Sequence, residues 1–194
     1  SIVERGFLWY ASRERIERAV QVEGDVTFAE RSAQPTMWLV PHFMGLEVAA
    51  TAVQLFQSQR GATIYQTQSN PVFDAAVRAG RERFGHSVLF NRQDSAKPLI
   101  RAIKQDGLGF FNLPDMDFGL KDGAFVPFFG VPAATLLAPS KMARLLNMKV
   151  QPVVAEMLEG GGWRVRFHEP WSDFPTDDAL ADATRMNAWI EARV

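Results

Sequence analysis

Residues 36–40 read TMWLV, a continuous, largely apolar run of strand length, and residues 46–57 then place Leu46, Ala49, Ala50, Val53 and Phe56 at helical spacing. The strand-then-helix unit recurs. Residues 62–66 read as a strand, 71–84 as a helix opened by Asn70-Pro71, 87–90 as a strand, 95–104 as a helix and 108–112 as a strand. Before these, 13–20 reads as the end of a helix. After them come a strand at 125–129, a helix at 139–146, strands at 149–158 and 163–168, and a helix beyond Thr176. Gly160-Gly161-Gly162 between the last two strands predicts an antiparallel hairpin at the sheet edge. Strands alternating with helices predict an α/β fold: a single domain with a mostly parallel sheet, helices on both faces and that hairpin at its edge.

Composition narrows the class. At 194 residues, 47% hydrophobic and 22% charged, the chain can bury one substantial core, and no linker, repeat or low-complexity tract divides it. A net charge of -1 argues against a nucleic-acid partner, and the absence of cysteine excludes disulfides and a thiolate nucleophile. The longest uncharged stretch, 123–140, is broken by Pro127, Pro132 and Pro139, so it reads as buried strand and loop leading into a helix, not as a membrane span. Starting at Ser1 and stopping at Val194 within a helical pattern, the chain has the look of a piece trimmed at both ends.

In open α/β sheets ligands bind outside the carboxyl ends of the strands. The residues there are His42 after the first strand, 66–70 after the second, Asn91-Arg92-Gln93-Asp94 after the third and Pro114-Asp115-Met116-Asp117 after the fourth. His42 and Glu47 fall within PHFMGLE. In one regular helix they would stand about 140° apart and could not meet. Pro41 disfavours helical geometry at Val40, so His42 is predicted to precede the helix, with Glu47 one turn in and able to reach back to one imidazole nitrogen. A histidine with a carboxylate, and no serine or cysteine nucleophile beside it, suits activation of a hydroxyl on the substrate.

The sequence here resembles the late acyltransferases of lipid A biosynthesis, lauroyl and myristoyl transferases within the glycerolipid-type acyltransferase superfamily. His42-x-x-x-x-Glu47 matches that superfamily's signature. The blocks PHFMGLE (41–47), IYQTQSNPVFD (64–74), LFNRQD (89–94), and LPDMDFG with FVPFFGVPAAT (113–135) follow in the family's order over about half of the chain. The resemblance implies transfer of a fatty acyl chain from an acyl carrier protein thioester, or acyl-CoA, to a hydroxyl of a Kdo-bearing, phosphorylated lipid A precursor. His42 would be the general base and Glu47 its orienting partner, without an acyl-enzyme and without a cofactor or metal. It also implies a place on the cytoplasmic face of the bacterial inner membrane, and the family's N-terminal anchor and C-terminal segment are missing from these residues. Arg92, Asn70, Tyr65, Asp115 and Asp117 fall in the substrate-binding blocks. Gln66 and Met116 depart from the family's usual residues, which leaves one phosphate contact and the acceptor open. A glycerophospholipid or amino-acyl acceptor, hydrolysis of the thioester, and a lipid-binding module without catalysis are the alternatives.

Charge is polarised along the chain. Residues 60–104 carry eight Lys/Arg against three acids, and 154–182 seven acids against two arginines. The basic portion suits anionic lipid headgroups or an acidic carrier, provided its charges share one surface. Phe118, Phe125, Phe128 and Phe129 are candidates for an acyl groove, with plain core as the other reading. The opening stretch, with Phe7, Leu8, Trp9 and Tyr10 beside four arginines, is amphipathic enough either to touch a membrane surface or to pack on the domain. His86 and His168 lack a carboxylate at telling spacing and read as structural or exposed.

Overall fold

The computed structural model describes residues 2–85, 87–94, 96–116 and 122–194. At its centre are five parallel strands, in the spatial order β8 (Lys149–Met157), β2 (Thr36–Leu39), β5 (Gly109–Asn112), β3 (Gly61–Tyr65) and β4 (Ser87–Asn91). β9 (Trp163–Phe167) turns back antiparallel to β8, and β1 (Val20–Gly24) completes the seven-stranded sheet by running parallel to β9. A separate antiparallel ribbon joins β6 (Gly123–Phe128) to β7 (Val131–Leu136).

The unalternating run at 36–40 has a direct cause. All four residues of β2 are buried, because both faces of the sheet are covered. Trp38 and Val40 enter a core with Leu8 of α1 (Ile2–Tyr10), Ile16 of α2 (Arg13–Ala19) and Val48 and Ala52 of α4 (Leu46–Phe56). Met37 and Leu39 enter the opposite core with Leu99 and Ile103 of α6 (Lys97–Asp106), Ala143 of α7 (Ala138–Leu145) and Met186 and Ile190 of α8 (Ala179–Glu191). The connections are α3 (Phe28–Arg31) and α5 (Pro71–Arg81), the latter capped by Asn70 with Pro71 at its first position.

The α/β class, the largely parallel sheet and the helices on both faces match the expectation, and the hairpin's place does not. β8 and β9 do form the antiparallel pair, turning through three glycines with φ of 87°, 101° and 85°. β1, however, lies outside them and takes the edge. VQVEG has too few apolar positions to announce a strand, and its partner β9 lies far away in sequence. The uncharged stretch also differs from its reading: Pro127 and Pro132 sit in a two-stranded ribbon with Phe125 60% and Phe129 58% exposed rather than buried, while Pro139 falls in the first turn of α7, at the expected helix start.

Candidate active site

β2 and β5 lie side by side in parallel, with Leu39 opposite Asn112. Three residues further along each chain stand His42 and Asp115. The hydrogen-bond ladder ends between them, its last rung running from Val40 N–H to the Asn112 carbonyl at 2.9 Å. Pro41 and Pro114 come next, and neither has an N–H with which to continue the sheet. Matching Val-Pro-His and Leu-Pro-Asp endings thus release the His42 and Asp115 side chains at one level of the carboxyl edge.

Asp115 grips His42 twice. Its Oδ1 lies 2.7 Å from His42 Nδ1, and its Oδ2 accepts the His42 backbone N–H at 2.8 Å. An ionised carboxylate only accepts hydrogen bonds, so Nδ1 carries the hydrogen and Nε2 keeps its lone pair. The side chains of His42 and Asp115 are 38% and 27% exposed, which leaves the ring accessible to a substrate. The carboxylate in contact with the imidazole is therefore that of Asp115, and no hydrogen bond or ion pair joins His42 to Glu47 among the described residues.

Glu47 is committed elsewhere. It is buried in the first turn of α4, where the helix N-terminus favours negative charge. Arg81 Nη2 donates to its Oε1 at 2.5 Å, and Arg5 Nη2 lies 3.2 Å from the same oxygen. The intervening Gly45 explains the divergence. Its φ of 93° is left-handed, and an added Cβ would stand 2.8 Å from the Cβ of Ala155, so only glycine fits this turn. The turn presents His42 to the crevice and Glu47 to α1 and α5. Spacing within PHFMGLE could not reveal this. A signal for Asp115 did exist in the two matching proline endings; Arg5 and Arg81 left none, because both reach Glu47 from other helices.

The neighbouring strand ends carry the other predicted residues. Tyr65 is buried, its hydroxyl accepting from Arg78 at 2.5 Å with the guanidinium 5.3 Å from the ring centroid. Arg92 is exposed just past β4, and its backbone N–H donates to the Tyr65 carbonyl at 2.8 Å. Asn70 directs its side-chain oxygen to the N–H groups of Val72 and Phe73, at 2.9 and 3.1 Å, as the cap of α5. Phe128 packs against the core and meets Phe129 edge-on at 4.9 Å. Asp117, Phe118 and His86 lie outside the described residues.

Much of the charge polarity is consumed internally. In the basic portion Arg81 pairs with Glu47, and Arg83 donates to the carbonyls of Leu8 and Ala11. In the acidic portion Asp178 caps α8, and buried Asp182 accepts from Ser140 and Thr176. Among the described residues no group of three or more His, Asp or Glu could hold a metal ion, and no helix is long and apolar enough to cross a membrane.

Fold and edge together define an α/β protein with a carboxylate-held histidine at the carboxyl ends of its parallel strands. Comparison with known proteins places it further. The family described as bacterial lipid A biosynthesis acyltransferase matches residues 1–194, and the chain belongs to that family. It is 31% identical over 182 residues to the lipid A biosynthesis myristoyltransferase of Escherichia coli (strain K12), covering 92% of this chain and 55% of that protein. It is 31% identical over 194 residues to the same organism's lipid A biosynthesis lauroyltransferase, covering 98% of this chain and 62% of that one. A lipid A biosynthesis acyltransferase of Haemophilus influenzae is 29% identical over 197 residues, with 62% of its length covered.

Proposed function

We propose that this chain is the catalytic part of an acyltransferase that moves a fatty acyl group from an acyl carrier protein thioester, or acyl-CoA, to a hydroxyl of a Kdo-bearing, phosphorylated lipid A precursor. The observation that carries the reading is His42 clamped through Nδ1 and its backbone N–H by Asp115 at the crevice edge, in a chain of the lipid A acyltransferase family. Its α/β sheet suits a glycerolipid acyltransferase-type scaffold.

The chemistry follows from the tautomer. Nε2 takes the proton of the acceptor hydroxyl as its oxygen bonds to the thioester carbonyl carbon. The tetrahedral adduct collapses with cleavage of the C–S bond, and the departing sulfur recovers a proton from the imidazolium. No acyl-enzyme forms. The Asp115 carboxylate stabilises the imidazolium between these steps, much as the third member of a Ser-His-Asp triad does. Glu47 acts as a positioning residue: with Arg81 and Arg5 it anchors the first turn of α4, and with it the loop that carries His42.

Arg92 is suited to acceptor phosphate through its guanidinium fork, with Tyr65 ending and Asn70 following the neighbouring strand β3. Contact with the inner membrane's cytoplasmic face is supported by the uncharged β6–β7 ribbon, where Phe125, Phe129 and Val131 are exposed. An acceptor-dependence assay on the full-length protein tests the whole reading. Acyl carrier protein thioester should be consumed only when a phosphorylated glycolipid is present. Equal consumption in water alone makes the protein a thioester hydrolase, and consumption with a glycerophospholipid alone reassigns the acceptor.

A further inference from the structure

β9 divides its residues between two faces. Val165 and Phe167 are fully buried in the core that α4 shares, so Arg164, Arg166 and His168 stand on the opposite face, beside Val154 and Glu156 of β8. The end of α8 reaches this face. Its Trp189 meets the His168 ring edge-on at 5.3 Å, and Arg193 follows four residues on. Together Val154, Glu156, Arg164, Arg166, His168 and Arg193 line a pocket of about 210 Å³.

The charges around it do not balance. Arg164 is held by Glu156, which accepts from its Nη1 at 2.7 Å, and by Glu23 of β1, 2.8 Å from its Nε. Arg166 directs Nε and Nη2 to the same Glu23, at 3.2 and 2.9 Å, and its Nη1 makes no hydrogen bond among the described residues. Two glutamates are thus committed to two arginines. Arg193 is the third: its guanidinium stacks 3.7 Å from the Trp189 ring centroid and donates through Nη1 to the Trp189 carbonyl at 2.7 Å, yet no carboxylate pairs with it among the described residues. Glu191, the nearest acid along its helix, instead accepts the Phe129 N–H. Burial and then Arg166 hold the Arg193 pKa below the usual arginine range, and burial, Arg193 and Arg166 push that of His168 down to about 4. Both shifts mark positive charge gathered beyond what Glu23 and Glu156 offset.

We propose that this pocket binds a phosphate group, with Arg193 and Arg166 donating N–H groups to its oxygens and the His168 imidazole as a third donor. A guanidinium fork matches phosphate oxygens and stays charged, and Trp189 and Glu23 already hold the two arginines in place. Phosphate presents three outward oxygens to these three groups, where a carboxylate has two. Its charge answers the arginine that the glutamates leave over. The site is independent of the acyl-transfer reading, since neither His42 nor Asp115 lines it.

The test follows the His168 imidazole signal in nuclear magnetic resonance spectra of the full-length protein, identified by its loss in His168→Gln protein. Phosphate held elsewhere, at Arg92 for example, does not register there. Two probes are titrated near neutral pH in low salt, which limits screening: inorganic phosphate, and dihexanoyl phosphatidic acid as a lipid-borne phosphate. At least one should move the signal saturably. Comparable affinities assign the site to free phosphate, and a lipid probe tighter by about tenfold or more assigns it to a headgroup. Arg193→Gln should weaken binding roughly tenfold or more, the usual loss of a charged hydrogen-bonding partner, and Arg193→Lys, which keeps the charge without the fork, by less. Arg101→Gln, at an exposed position of α6, should change nothing. A His168 signal that neither probe moves, or binding that Arg101→Gln weakens as much as Arg193→Gln, overturns the site.

Discussion

His42 and His168 each follow a strand, yet they stand in opposite surroundings. His42 leaves β2 at the edge where the parallel strands end, with the Asp115 carboxylate on Nδ1 and part of its ring open. His168 leaves β9, which runs the other way, and so comes out at the far edge. There it packs edge-on against Trp189 and faces Arg193 and Arg166. Burial first, then those two cations, push its pKa down to about 4. One residue type after one kind of element is held by a carboxylate in the first place and packed against aromatic and cationic neighbours in the second; strand direction and the charge across the gap decide which.

That contrast can be broken most severely at the first histidine. His42→Ala should lower acyl transfer by roughly 10² to 10⁴, the range for a positioned general base. Asp115→Asn should cost up to about 10⁴ by offering the wrong hydrogen-bonding partner to Nδ1, as at the orienting aspartate of a serine protease triad. Steady-state rates of both, with circular dichroism to confirm folding, settle the pairing; a normal rate in Asp115→Asn would mean that the observed carboxylate is catalytically idle.

Glu47 sharpens the comparison from the other side, since it should act through stability. Glu47→Gln leaves Arg81 and Arg5 without their shared carboxylate, at a cost of about 2–3 kcal/mol after discounting for the partial exposure of both arginines. Urea denaturation reads this directly. Partial rescue of activity at low temperature is expected for a positioning role and is not expected for the orienting partner of the base. Gly45→Ala should cost about 1–2 kcal/mol for its left-handed φ, plus whatever displacement Ala155 requires.

The smallest effect belongs to His168. Its folded pKa lies below the usual 6.5, so the unfolded chain binds the extra proton first. Stability is whole above about pH 6.5, falls as pH drops towards 4 and levels off below that. The loss should be roughly 1 kcal/mol once solvent screening of this half-exposed site is allowed for, and His168→Gln should flatten that part of the curve. Thermal melts at a series of pH values would show it. An identical slope in the variant assigns the dependence to other groups.

Legibility in the sequence tracked the range of the interaction responsible. β2, α4 and β3 were readable because burial on both sheet faces leaves continuous apolar runs, and amphipathic spacing marks the helix between them. The edge positions of His42, Arg92 and Asp115 followed from where those runs stop. β1 was not readable, because its pairing is supplied by β9 and two valines alone do not mark a strand. The partner of His42 was misread for a related reason. Five residues of spacing favour Glu47, but one left-handed glycine turns it away, and the register of two strands far apart in sequence brings Asp115 in.

The sequence by itself determined the α/β class, the edge at which chemistry gathers and the resemblance to lipid A acyltransferases, since periodicity, proline and short motifs are written in neighbouring residues. Only the tertiary structure decided which carboxylate holds the histidine and what Glu47 pairs with. Those depend on strand register and helix packing, where distances of an ångström or two between remote residues separate a bond from a near miss.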